Sequence, residues 1–323
     1  MVVLIFSQWS IAEGITHGAV FPLVNAISRR PEVEKILLCT LEAGTEPKSS
    51  IPFERVEHIP VDCRTDSTVG KSLNTIRIPR LLSRVVKEHR VDFVWCKGAP
   101  AGGYVAILNQ WTGVPFVVDS LEPHSEYMVE SGTWSRLGVK YFVQRVFERM
   151  AIRRASALLP VSTEYMKRMV KEGVPHDKLS HLPCVVDVAR FEYKPEARNR
   201  VRAELGLRDE DIVGIYAGKY GGLYYDEEAF KLYQALFRIV GSALFLILLT
   251  ETDQNIVMNR VLQFGLPLDR IKVLRVSHAE VPAYLSAADF GISTIKSVPA
   301  MRYCSAIKHG EYWAADLPII STL

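Results

Sequence analysis

The feature that most constrains this chain is a rhythm of short apolar runs separated by longer amphipathic stretches. VVLIF (2–6), KILLCT (35–40), DFVWC (92–96) and PFVVD (115–119) are nearly continuous in apolar residues. Runs of that length and uniformity are strands of a parallel sheet whose two faces are both covered by helices. Between them lie helix-period stretches such as IPRLLSRVVKEH (78–89) and AGGYVAILNQW (101–111). The alternation βαβ predicts a doubly wound α/β sheet.

The rhythm is interrupted once and then resumes. A long helical stretch over 136–154, a strand ALLPVS (157–162) and a helix TEYMKRMVKEG (163–173) complete the first set. The segment 182–199 has prolines, no clear period and a charged end, and reads as a linker. A second set follows, with strands DIVGIYAG (211–218), ALFLILLT (243–250), RIKVLRV (270–276), DFGIST (289–294) and PIIST (318–322). With 323 residues the chain is long enough for two cores rather than one. The expected architecture is therefore two Rossmann-like domains, residues 1–185 and 186–323, facing each other across a cleft. Ligands of such sheets bind beyond the carboxyl ends of the strands, where the strand order reverses, so the loops after the strands are where chemistry is expected.

Composition narrows the class. A net charge of +3 argues against nucleic acid as a partner, which calls for a strongly basic face. The five cysteines lack CxxC spacing, so neither a zinc site nor a disulfide framework is expected, and a reducing, cytoplasmic setting is the simpler reading. The opening MVVLIFSQW has no basic flank or cleavage site and reads as a core strand. The most apolar later stretch, IVGSALFLILLT (239–250), falls short of the roughly 20 residues that span a bilayer.

The stretch 278–320 carries the densest chemistry. Residues 305–314 read as a short helix with Cys304 or Ser305 as its N-cap, and free amides at its start would suit a diphosphate. Lys308 and Glu311 share one face of it. A lysine in a first turn opposes the helix dipole, and Lys before Glu is the poorer order for a helical pair. Both oddities make sense if Lys308 meets a phosphate and Glu311 meets ribose hydroxyls; a solvated surface pair is the plainer alternative. YAGKYGG (216–222) runs from a strand into a loop in which Gly218, Gly221 and Gly222 permit close backbone approach. Lys219 adds positive charge there, although a tight turn would use the same residues.

These residues resemble the donor-binding region of glycosyltransferase family 4, the retaining enzymes of the GT-B fold. Glu311, Tyr312, Ala314, Leu317 and Pro318 match the family's EYxAxxLPII as they stand, and HAEVPAYLSAADFGIS (278–293) matches the approach to it. The resemblance implies that Glu311 holds the ribose, that Arg275 and Val276 meet the base through the main chain, and that Gly218 and Lys219 stand at the leaving diphosphate. The family's second glutamate, eight residues before the first, is Tyr303 here. Arg302, Tyr303 and Ser305 are the replacements at hand for meeting the donor sugar. LLPVSTEYMKRMVKEGVPHDKLSHLPCVVDVARF (158–191) resembles the family's interdomain bridge through Val186, Asp187 and Phe191, with Cys184 and Val185 in place of the usual Asn-Gly.

In the first domain the family's glycine-rich loop corresponds to SQWSIAEGITHG (7–18), with Glu13, Gly14 and His17, so that Gly14 would approach the donor. The loop DSLEPHSEYMVESG (119–132) supplies His124 and Asp119 as candidates to hold the transferred sugar. Over 139–155, basic residues alternate with aromatic and aliphatic ones, which suits either a peripheral contact with the inner face of a membrane or a solvated helix face. The implied reaction moves a sugar, with retention, from a nucleotide-sugar to a glycan, lipid-linked or small-molecule acceptor. It needs neither metal nor bound cofactor, because helix dipole, amides, Lys219 and Lys308 meet the departing charge. A GT-B nucleotide-sugar epimerase and a non-catalytic nucleotide-sugar-binding protein are the alternatives. Such folds continue beyond a strand like PIIST, so the sequence reads as C-terminally incomplete.

Overall fold

In the computed structural model the protein is described over residues 1–43, 51–63 and 68–322, with the side chains of 68–72 excepted. Leu323, the end of the second expected domain, lies outside them. The chain divides into two units: Met1–Glu130, Trp134–Cys184 and Pro299–Ser305 form one, and Ser131–Thr133, Val185–Val298 and Ala306–Leu323 the other.

The first unit runs β1 (Val2–Ser7), a π-helical turn into α1 (Phe21–Ser28), β2 (Lys35–Glu42), β3 (Val56–Asp62), α2 (Thr68–Glu88), β4 (Phe93–Lys97), α3 (Ala99–Thr112), β5 (Phe116–Leu121), α4 (His124–Glu130), α5 (Val139–Arg154), β6 (Ala157–Pro160) and α6 (Thr163–Lys171). Among the described residues six strands form one sheet in the order β3-β2-β1-β4-β5-β6. All pairs are parallel. The order turns back at β1, which makes the gap between β1 and β4 the switch point. Leu4, Ile5 and Phe6 of β1 are fully buried, as a strand covered on both faces requires. Helices α3 and α5 pack closely because residue 103 is glycine: a Cβ there would run into the ring of Phe147.

The second unit runs α7 (Val188–Phe191), α8 (Pro195–Glu204), β7 (Ile212–Ala217), α9 (Glu227–Val240), β8 (Leu244–Leu249), α10 (Gln254–Gln263), β9 (Ile271–Leu274), α11 (Val281–Ala287), β10 (Phe290–Ser293), α12 (Ile307–Ala314) and β11 (Ile319–Ser321). Its sheet is β11-β10-β7-β8-β9, again parallel, with the switch point between β7 and β10. All six residues of β8, LFLILL, are buried. At the amino ends of β7 and β9 the fully buried carboxylate of Asp211 receives Arg270 Nη2 at 2.6 Å and Arg208 Nη2 at 2.9 Å. Desolvation pushes that carboxyl up, but the hydrogen bonds from Arg270 and Arg208 outweigh it and hold it well below the usual carboxylate range.

Three local expectations are revised. The edge strand β3, VEHIPVD, was not foreseen: only Val61 of its seven residues is buried, so it lacks the apolar run that marks an inner strand. The stretch 182–199 is not a plain linker, because Asp187 caps α7 by accepting from Arg190 N and Pro195 opens α8. Helix α12 begins at Ile307 with Ala306 as N-cap and no side-chain cap. Cys304 instead donates its thiol to Ala300 O, and Ser305 O accepts from the Cys184 thiol.

Candidate functional site

The carboxyl ends of β7 and β10 open onto the second unit's switch point. After β7, Gly218 N still pairs with Leu249 O at 3.0 Å. The chain then turns through Gly221 (φ 79°) and Gly222 (φ 62°), left-handed conformations that favour glycine. Tyr216 OH donates to Lys219 O at 2.5 Å, which ties the turn back onto its strand.

After β10 the chain reaches α12, whose amides at its first turn have no side-chain cap. Lys308, the second residue of the helix, points inward. Its amine lies 4.9 Å from the ring centre of Tyr216 and 4.1 Å from that of Tyr224, an arrangement in which ring faces attract a cation. Nζ is buried and has no hydrogen-bond partner among the described residues. Burial pulls its pKa from 10.5 down to about 7, against the opposing pull of Glu311. A buried, unpartnered amine is costly, and a ligand that brings its own anionic oxygens would satisfy it.

Glu311 lies less than one helical turn further along and is 8% exposed. Its carboxylate faces His278, with Nε2 3.6 Å from Oε1. Arg190 Nη2 donates to His278 Nδ1 at 2.8 Å and to His278 O at 2.9 Å. His309, next to Lys308, turns to Ser293 Oγ at 2.9 Å, and burial lowers its pKa. The second unit thus brings Gly218, Lys308 and Glu311 to one switch point, with a buried base and a buried acid on the same helix.

The other expected donor residues are placed differently. Lys219 is exposed and pairs with Glu251 Oε2 at 3.0 Å. Arg275 is exposed just past β9, and Val276 is half-buried against the core. Tyr303 and Ser305 belong to the first unit rather than the second. There Ser162 Oγ donates to Tyr303 O at 2.9 Å, and the Tyr303 ring lies under the guanidinium groups of Arg168 (5.1 Å) and Arg302 (4.9 Å). Glu126 holds Arg168 by two contacts of 2.6 Å. The tyrosine at this position is thereby engaged in packing within the first unit.

In that unit, Gly14 lies in a compact turn closed by Ser10 N to Glu13 Oε1 (3.1 Å) and Thr16 Oγ1 to Ser10 O (2.7 Å). The buried carboxylate of Glu42 anchors the turn by accepting from Ser10 Oγ at 2.6 Å and Ile11 N at 2.9 Å. His17 stacks edge-on against Phe21. Asp119 is buried, with Oδ2 receiving Lys97 Nζ at 2.6 Å and Trp95 Nε1 at 3.2 Å; its carboxylate is engaged by the fold. His124 stands at the start of α4. Tyr127 OH donates to Glu122 Oε1 at 2.6 Å and meets His124 Nδ1, so the imidazole Nδ1 carries a proton and Nε2 is left for other work.

Sequence reading missed Tyr216, Tyr224, His278 and Arg190. Tyr216 sits inside the quoted YAGKYGG and His278 begins the quoted HAEVPAYL, so their positions were in view. What sequence could not supply was the pairing of residues from 190, 216 and 278 with one helix near 310.

Residues 27–184 match the model of the glycosyl transferase 4-like domain. The GDP-mannose-dependent alpha-(1-6)-phosphatidylinositol monomannoside mannosyltransferase of Mycolicibacterium smegmatis is 32% identical over 136 residues, 41% of this chain. That match spans about a third of the relative's own length (32%). Among solved structures, the HepE protein of Anabaena in complex with UDP and glucose superposes with a TM-score of 0.71 at 15% identity, over 99% of this chain and 80% of its own. The sucrose-phosphate synthase of Thermosynechococcus elongatus gives 0.76 at 14%, over 99% and 81%. UDP-GlcNAc 2-epimerase from Neisseria meningitidis gives 0.58 at 10%, over 90% and 77%. At these identities the likeness is one of fold, and the fold is that of the GT-B glycosyltransferases.

Proposed function

We propose, from the match of residues 27–184 to the glycosyl transferase 4-like domain, that the chain transfers a hexosyl group from a nucleoside-diphosphate sugar held by its second unit. The observation that carries this is the buried, unpartnered amine of Lys308 beside the carboxylate of Glu311. Lys308 and the first amides of α12 take the diphosphate. Glu311 takes the ribose hydroxyls. As the sugar leaves, negative charge grows on the diphosphate, and fixed donors aimed at it lower the barrier. Lys308, the helix start and the exposed Lys219 meet that negative charge without a metal ion. Transfer proceeds with retention at the anomeric carbon. His124, with Nε2 unengaged by Tyr127, is the first-unit candidate to meet the transferred sugar; Asp119 serves to hold Lys97.

Incubation with UDP-glucose, UDP-GlcNAc and GDP-mannose, with and without lipid and glycan acceptors, tests the reading. Acceptor-dependent release of nucleoside diphosphate supports it, whereas acceptor-independent conversion of UDP-GlcNAc to an epimer supports the epimerase. Activity unchanged by EDTA supports a metal-independent reaction. Tight binding of the donor with no turnover supports a non-catalytic binding protein.

The acceptor is lipid-linked. Two faces of α5 support this. Gln144, Phe147, Glu148 and Ala151 are buried, while Val139, Phe142, Val143 and Val146 form an exposed apolar stripe at helical spacing, with Leu137 86% exposed just before it. Exposed Arg136, Lys140 and Arg149 flank that stripe. An apolar stripe with basic flanks suits an anionic lipid surface. Among the described residues no helix is long and apolar enough to cross a membrane.

A further inference from the structure

The carboxylate of Glu311 is not fixed by its own helix. Among the described residues it faces the imidazole of His278, Nε2 lying 3.6 Å from Oε1, and His278 lies outside α12 in the segment between β9 and α11. Both side chains are sheltered, at 16% and 11% exposed.

The imidazole is itself clamped. Arg190 Nη2 donates to Nδ1 at 2.8 Å and to the same residue's carbonyl at 2.9 Å. Phe191 meets the ring edge-on, with centres 5.9 Å apart. The turn that carries Arg190 and Phe191 is set by Asp187, which accepts from Arg190 N at 3.3 Å. A guanidinium is a donor only and stays charged. Nδ1 must therefore accept, and the ring proton lies on Nε2, facing Glu311 Oε1.

We infer that His278 is a positioning residue for nucleotide recognition: held by Arg190 in the Nε2–H form, it fixes the carboxylate of Glu311 where that group can accept from both hydroxyls of a ribose. This rests on the donor-site reading above and extends it, because it assigns selection of ribose over deoxyribose to a relay running Arg190, His278, Glu311. The Asp187–Phe191 turn, which sequence marks only as a bridge between domains, acquires a role in ligand selection through that relay. A side chain held in one rotamer by its neighbours loses less freedom on binding, which is the gain from preorganisation.

The test compares UDP and GDP with dUDP and dGDP by titration calorimetry, on the wild-type chain and on His278→Ala, His278→Gln and Arg190→Met. A hydrogen bond to a charged acceptor separates ribose from deoxyribose by about tenfold or more in the wild type. His278→Ala is expected to bind both sugars within about threefold of each other, with the loss falling on the ribonucleotide. Glutamine can present its amide near the position of Nε2 and restores the preference. Arg190→Met, which frees the tautomer, gives an intermediate ratio. A wild-type ratio retained in His278→Ala, or a ratio lost alike in His278→Ala and His278→Gln, overturns the inference while leaving the donor site standing. Binding of no nucleotide by the wild type overturns the donor site itself, and the inference with it.

Discussion

The amine of Lys308 occupies the space that a side chain at position 218 would need: a Cβ built on Gly218 falls 2.6 Å from Lys308 Nζ and 3.1 Å from Tyr216 OH. The glycine after β7 is thus explained by a lysine ninety residues later.

Gly218→Ala is expected to displace the tip of Lys308 without disturbing the sheet, since the obstructing atom is the end of a flexible side chain. Affinity for a nucleoside diphosphate should fall about tenfold or more, the scale of a lost charge-assisted contact. The melting temperature should change by no more than a few degrees. Calorimetric titration beside thermal unfolding checks both halves; a large loss of stability with unchanged affinity would contradict the account.

Lys308→Met should stabilise the protein at pH 7 while removing diphosphate binding. Replacing a buried charge by an apolar group is often worth about 1–3 kcal/mol. The pH dependence has a definite sign. The folded protein releases this proton at about pH 7, whereas the unfolded chain keeps it to 10.5. Between those values the unfolded state holds the extra proton, so raising the pH favours the folded wild type. The advantage of methionine should be largest at pH 7 and below, and shrink towards pH 10. Denaturant unfolding of both proteins at several pH values measures it; a gap that widens with pH would contradict it.

Nucleotide binding should also take up a proton. Above pH 7 the free amine is mostly neutral, and an adjacent diphosphate favours the ammonium. Titration at pH 8.5 in buffers of different ionisation enthalpy should show uptake approaching one proton per site, and the uptake should fall away below pH 7, where the free amine already carries its proton.

Much of this architecture was legible in the sequence, and the reason is physical. β1, β2, β4, β5, β7 and β8 are inner strands, apolar on both faces, and a continuous apolar run needs no tertiary knowledge to recognise. β3 lies at an edge, with only Val61 buried and no apolar run, and α7 is four residues long and held by a single cap, so neither has a periodic signal. At the site, Lys308 and Glu311 were visible as a helical pair in an unfavourable order, but the side chain of Lys308 is buried between Tyr216 and Tyr224, which a surface reading of the helix could not show. Tyr303 stands two residues before the helix expected over 305–314, but α12 begins only after Ala306, and the turn before it packs on Ser162 and Arg168 instead.

Asp211 offers a test of the fold rather than the site. Removing its carboxylate leaves Arg270 and Arg208 without their shared partner, so Asp211→Ala should cost about 3–5 kcal/mol. Because hydrogen bonding holds this carboxyl below its ordinary range, its contribution is present at neutral pH and is lost as the pH falls through the folded-state value. Equilibrium unfolding between pH 7 and pH 2 should show the gap between wild type and variant begin to narrow below about pH 4, where the unfolded carboxyl takes up its proton.

The apolar stripe on α5 should govern membrane association. Phe142→Asp with Val146→Asp should abolish sedimentation with vesicles of anionic phospholipid and leave nucleotide affinity unchanged, since both residues belong to the first unit and the nucleotide is assigned to the second. Binding to neutral and anionic vesicles alike, or no change in the double variant, would contradict the role assigned to this face.

The central claim is that Lys308 and Glu311 together receive a nucleoside diphosphate. Its most direct measurement is the thermal shift of the wild-type chain and of Glu311→Ala against UDP, GDP and ADP. At least one of the three should stabilise the wild type, by several degrees at saturating concentration, and the variant, folded and melting near the unliganded wild type, should lose that shift. A shift retained in full by Glu311→Ala, or the absence of any shift with all three nucleotides in the wild type, would contradict it.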